Sequence, residues 1–121
     1  MRLAALVLLT AASLGAAAAP ILGARGPQRV QVTALEFEYR LSRLSVRQGP
    51  ALIELVNYGE DEHDLRLRRT GGTRIYRIGK VRPGRLGALE TRFLPGRFTL
   101  WCSLADHRKR GMVATLVVRR A

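Results

Sequence analysis

From Val30 onward, apolar and β-branched residues recur in short segments, and within several of them polar and apolar positions alternate with a period of two. That period marks strands with one face buried. Candidate strands lie near 30–37, 42–47, 51–57, 63–69, 73–78, 86–94, 97–103 and 112–119. The breaks fall at Gln48-Gly49-Pro50, Asn57-Tyr58-Gly59, Thr70-Gly71-Gly72, Pro83-Gly84 and Pro95-Gly96. Pro presets φ and Gly tolerates positive φ, so each break is a place where the chain can reverse. No segment in this region carries a 3.6-residue period, and there is no internal repeat or low-complexity linker. About eight short strands suit two packed sheets, so the pattern predicts an all-β sandwich.

Alternation also predicts which side chains face the core. In RFTLWCS, Phe98, Leu100 and Cys102 share one parity, while Arg97, Thr99 and Trp101 share the other. In MVATLVVRR, Met112, Ala114, Leu116 and Val118 share a face that Met112 opens, although Val113 and Val117 leave the other face fairly apolar. In HDLRLRR the division is cleaner, with His63, Leu65 and Leu67 inward and Asp64, Arg66 and Arg68 outward. Residues 103–111 join the last two strands as a loop with His107 in its middle.

The segment before Pro20 has a different character. One Arg at position 2, an apolar run from Leu3 and the small residues Ala17, Ala18 and Ala19 form the layout of a secretory signal peptide over residues 1–19. Residues 20–29 then read as a flexible lead-in, and residues 30–121 as one domain. This layout predicts export to the periplasm or the extracellular space, or membrane anchoring if the leader stays uncut. It has no Arg pair, which favours export of an unfolded chain that acquires any metal outside.

The chain has 121 residues, enough for one small domain, with 21 Lys and Arg against nine Asp and Glu and a formal net charge of +12. So basic a balance invites a nucleic-acid reading. Against it stand the leader and the composition: all the basic residues except Lys80 and Lys109 are Arg, a compositional bias rather than a phosphate-reading surface. No nucleic-acid partner is expected. The Gly-rich turns contain no phosphate-binding pattern.

Cysteine use narrows the chemistry. Cys102 is the only cysteine, so no internal disulfide can close the core of this exported domain. An unpaired thiol there is buried and inert, pairs with another chain, or binds metal. Beyond the leader the chain contains two His, His63 and His107, and one Met, Met112. Singly, each has an ordinary reading: a core thiol, a strand-end imidazole, an exposed loop residue and a core filler. Jointly, they are three inward groups at strand ends and a fourth on the loop that caps them. A thiolate and a thioether with two imidazoles suit copper, whereas a Met ligand is a poor choice for zinc, magnesium or calcium.

The run PGRFTLWCSLADHRKRGMVATLVV, with NYGEDEHDLRL upstream, resembles the copper-binding strands and loop of the cupredoxins, the small blue copper proteins. The likeness extends more loosely over Val30 to Arg119, and CxxxxHxxxxM is one of the family's loop spacings. It implies a Greek-key β-sandwich and one type 1 copper ion. His63, Cys102 and His107 would be the strong ligands and Met112 the weak axial one. The implied activity is one-electron transport, with His107 as the electron port, and no catalysis. The same soft residues also hold Cu(I), so an exported copper-trafficking protein stands as the alternative.

Some positions depart from the family pattern. Asp64 follows the first histidine where Asn is common, and its charge would favour Cu(II); a bond from it to the Ser103 region would tie ligand strand to ligand loop. Asp106 precedes His107 where Gly is common, which puts the loop backbone in question. Arg108, Lys109 and Arg110 surround the expected port in place of apolar residues, so docking is expected to be electrostatic, with an acidic redox partner or an anionic membrane surface. A monomer is expected. A Cys/His hydrolase is the enzymatic competitor, with Cys102 as nucleophile and His107 as base. It lacks an orienting third residue, an oxyanion feature and a second lobe. A binuclear copper centre lacks its second cysteine.

Overall fold

The computed structural model describes residues 15, 17, 18 and 26–121. The leader of residues 1–19 and most of the lead-in therefore lie largely outside the described residues. Nine strands follow in order: β1 (Gln28–Leu35), β2 (Glu38–Leu41), β3 (Ser45–Arg47), β4 (Gly49–Asn57), β5 (His63–Arg69), β6 (Ile75–Val81), β7 (Leu86–Phe93), β8 (Gly96–Trp101) and β9 (Val113–Arg119). No helix occurs among the described residues.

The strands form two sheets, β2-β1-β4-β7 and β3-β9-β8-β5-β6. Each is mixed, with β1 parallel to β4 and β3 parallel to β9. The chain crosses between sheets after β2, β3, β4, β6 and β7, so both sheets contribute to one core. Val30, Val32, Ile53 and Leu55 come from the first sheet, and Leu65, Leu67, Phe98, Leu100 and Leu116 from the second. Each large aliphatic side chain sealed here contributes about 1.5–3 kcal/mol.

Alternation locates the core correctly in β8, where Phe98 and Leu100 are buried and Cys102 continues their parity just past the strand end. The first candidate strand is different. It begins at Gln28, whose pairing with Ala51 takes two residues from the expected lead-in, and stops at Leu35. A turn at Glu36 and Phe37 then reverses the chain into β2, which pairs antiparallel with β1. That is why nine strands replace the eight expected. The candidate at 42–47 shrinks to β3, a short edge strand beside β9.

Candidate metal centre

At one end of the sandwich, donor atoms of His63, Cys102 and His107 all lie within 4.8 Å of one another. His63 opens β5, Cys102 follows the last residue of β8, and His107 comes from the loop between β8 and β9. All three are buried. Cys102 Sγ is 3.6 Å from His107 Nδ1. Donors each about 2.1 Å from a shared centre in a trigonal plane sit about 3.6 Å apart, so this spacing fits two ligands of one ion.

The state of His63 supports the same conclusion. Its Nε2 lies 2.8 Å from Glu36 Oε1, while its Nδ1 is buried and has no hydrogen-bond partner. An ionised carboxylate only accepts, so in the neutral ring Nε2 carries the proton and Nδ1 keeps a free lone pair. A buried acceptor without a partner is costly unless something occupies it. A metal ion fits that role. His107 Nε2 is similarly placed near Asp61 Oδ2, at 3.6 Å.

The loop is shaped by backbone bonds. His107 N–H donates to Leu104 C=O at 3.1 Å, Met112 N–H to His107 C=O at 3.1 Å, and Cys102 N–H to Met112 C=O at 3.2 Å. Met112 is buried just before β9, with its backbone joined to those of Cys102 and His107. The question raised by Asp106 is answered one residue earlier: Ala105 takes the positive φ, 42°, and Asp106 pairs with Arg110 at 3.0 Å. Gly111 has φ 120°, and a Cβ there would lie 3.2 Å from Phe37 O. The backbone conformation calls for glycine there, and the close approach to Phe37 adds to the constraint.

Asp64 contradicts the alternation. It is buried, because a register shift between His63 and Leu65 breaks the two-residue period at the start of β5. Its carboxylate accepts Ser103 N–H at 2.7 Å and the Ser103 hydroxyl, with Arg66 Nε at 3.3 Å. The start of β5 and the loop after β8 are thereby tied together. Tyr39 on β2 donates its hydroxyl to Asp64 C=O from the opposite sheet. Burial pushes the Tyr39 phenol up, and Cys102 and Asp64 beside it add to the effect. Burial likewise pushes the Cys102 thiol up, against backbone hydrogen bonds from Asp64 and Leu104.

Three residues that the sequence reading passed over converge here from the first sheet: Glu36, Phe37 and Tyr39. The Phe37 ring lies 4.9 Å from that of His107, and the Arg110 guanidinium stacks over Phe37 at 4.5 Å. Glu36 Oε1 also accepts N–H from Glu60 at 2.8 Å and Asp61 at 3.0 Å. Burial raises the Glu36 carboxyl, but the Asp61 N–H, the His63 ring and the Glu60 N–H outweigh it and hold the group at about 2, below its ordinary 4.5. The sequence signal was thin: Phe37 and Tyr39 share a parity, but no Gly, Pro or Asn marks the turn.

His107 is less open than an electron port was expected to be. Its side chain is only 9% exposed. Arg108 stacks over Trp101 at 4.9 Å, so two cations of the Arg108-Lys109-Arg110 run lie on aromatic rings beside the cluster.

No protein-family model matches this sequence, and no curated protein matches it. Solved structures do match its fold. Auracyanin from the photosynthetic bacterium Roseiflexus castenholzii superposes with a TM-score of 0.63 at 14% identity, over 77% of this chain and 98% of that one. Auracyanin A, a blue copper protein of Chloroflexus aurantiacus, gives a TM-score of 0.63 at 13% identity, over 78% of this chain and 100% of that one. A Cu(I) amicyanin variant gives 0.57 at 15% identity, over 75% and 82%. With nine strands in two mixed sheets and a buried His-Cys-His cluster at one end, the chain has the cupredoxin fold.

Proposed function

We propose that this protein is a mononuclear type 1 copper protein that carries single electrons outside the cytoplasm. The observation that carries the reading is the convergence of His63, Cys102 and His107 donor atoms within 4.8 Å on a cupredoxin scaffold. His63 and His107 would hold the ion through Nδ1, Cys102 through its thiolate, and Met112 would add a weak thioether donor. Bound copper supplies a Cu(II)/Cu(I) couple at this position. The protein's part is to hold the donors in one arrangement for both oxidation states, which the bonds among Asp64, Ser103, Met112 and His107 favour.

Both imidazoles and the only thiol lie in the cluster, which leaves no separate Cys/His pair for catalysis and supports a carrier. The exposed part of His107 is the exit for the electron. Arg108, Lys109 and Arg110 around it favour a redox partner with an acidic docking surface. The leader of residues 1–19 delivers the chain to that partner's compartment.

Voltammetry of the copper-loaded domain tests the assignment. A reversible one-electron wave, with the copper retained in both states, is the expected result. A protein that surrenders its copper to a Cu(I) chelator on reduction and gives no reversible wave is a copper-trafficking protein instead.

A further inference from the structure

Glu36 lies outside the ligand set, yet one of its oxygens reaches three groups around the metal centre. Oε1 is 2.8 Å from His63 Nε2 and accepts the N–H groups of Glu60 and Asp61 at 2.8 and 3.0 Å. The turn carrying Glu36 belongs to the first sheet and His63 to the second, so the contact bridges the sandwich. Space for it is reserved: a Cβ at Gly59 would lie 2.0 Å from Glu36 Oε1 and 2.9 Å from His63 Nε2. No residue with a side chain is tolerated at 59 while that contact stands.

The other carboxylates nearby are occupied differently. Asp64 is bonded to Ser103, Glu62 pairs with Arg82 at 3.9 Å, and Asp61 faces His107 rather than His63. Among the described residues no Arg or Lys pairs with Glu36, so its charge acts on His63 without a neutralising cation.

We infer that Glu36 is a positioning residue of the centre: it holds His63 as the Nε2–H tautomer with Nδ1 free to bind metal, and it places a negative charge behind that imidazole. Accepting from Nε2–H makes the opposite nitrogen a better donor. A fixed anion beside the centre also favours the more highly charged oxidation state, so it lowers the reduction potential. The tautomer is a property of the metal-free chain. The effect on potential rests on the proposed copper function.

The experiment follows both properties in the full chain, wild type beside Glu36→Gln and Glu36→Ala. Ring nitrogen-15 shifts of the metal-free protein, with His107→Gln to assign the two histidines, report the tautomer. Wild type is expected to show a single form with Nε2 protonated. Glu36→Gln keeps an acceptor of the same size and is expected to retain that form, whereas Glu36→Ala is expected to mix both tautomers. After copper loading, Glu36→Gln is expected to keep the intense visible band while its potential shifts upward. Protonation of Nδ1 in the wild type, readable even if the alanine variant does not fold, overturns the inference. So does an unchanged tautomer in a folded Glu36→Ala, and an unchanged potential in Glu36→Gln removes the charge effect. Absence of the band in the wild type would instead refute the copper reading and leave the tautomer result standing.

Discussion

The two imidazoles of the cluster are held in opposite ways. His63 opens a strand of the sheet, is 0% exposed, and has a carboxylate 2.8 Å from its Nε2. His107 sits in a loop of turns, keeps 9% of its side chain exposed, and has its nearest carboxylate at 3.6 Å. One ring is locked behind the core, and the other lies against Phe37 at the surface. The difference separates rigidity from access: the sheet fixes one ring, while the loop brings the other to the protein surface.

The largest expected effect removes the group that both imidazoles surround. Cys102→Ser should abolish the intense thiolate-to-Cu(II) absorption altogether, measured in the visible spectrum of the copper-loaded protein; an unchanged spectrum would refute the ligand assignment. The next test separates the rings. His107→Gly should regain the band when free imidazole is added, because its space opens toward solvent, whereas His63→Gly should not. Equal rescue of both variants would erase the distinction between them.

A third effect is shared by the two sides. Burial raises the Cys102 thiol, so the metal-free protein holds that proton and must release it on binding. Metal affinity should therefore rise about tenfold per pH unit while the thiol stays protonated, with a proton release visible in calorimetry across buffers of different ionisation heat. A pH-independent affinity would mean that the thiolate is not a ligand.

Smaller effects test the ties between the two sides. Asp64→Ala leaves Ser103 N–H and its hydroxyl without their acceptor and should cost about 1.5–3 kcal/mol of stability in chemical denaturation. A further effect is that of Glu36 on acid stability. Its folded pKa, about 2, lies below the ordinary 4.5, so its contribution is complete above about 4.5 and disappears as pH falls toward 2. Glu36→Gln should flatten that part of the stability curve of the metal-free protein. A curve that keeps the wild-type slope would show that the carboxylate is not held by these bonds.

Much of this centre was legible in the sequence because soft ligands are scarce in the chain. Two His, one Cys and one Met beyond the leader leave few combinations, and alternation in β8 correctly turns Cys102 inward. The turns at Asn57-Tyr58-Gly59 and Pro83-Gly84 were legible because glycine marks them. The turn at Glu36-Phe37 was not, since neither residue has a local reason to reverse the chain; only pairing of β2 with β1 places it there. Asp64 was read as outward because a bulge leaves no trace in residue types, and its burial depends on Ser103 and Tyr39, distant in sequence. Local signals showed the residues that cluster, whereas the groups packed around them depend on long-range pairing.

Titration of the metal-free domain with Cu(II), followed by its visible spectrum, tests the central claim most directly. An intense thiolate-to-Cu(II) band that saturates at one equivalent is the predicted result. A weak band, or one that continues to grow beyond one equivalent, would contradict a single centre built from His63, Cys102 and His107.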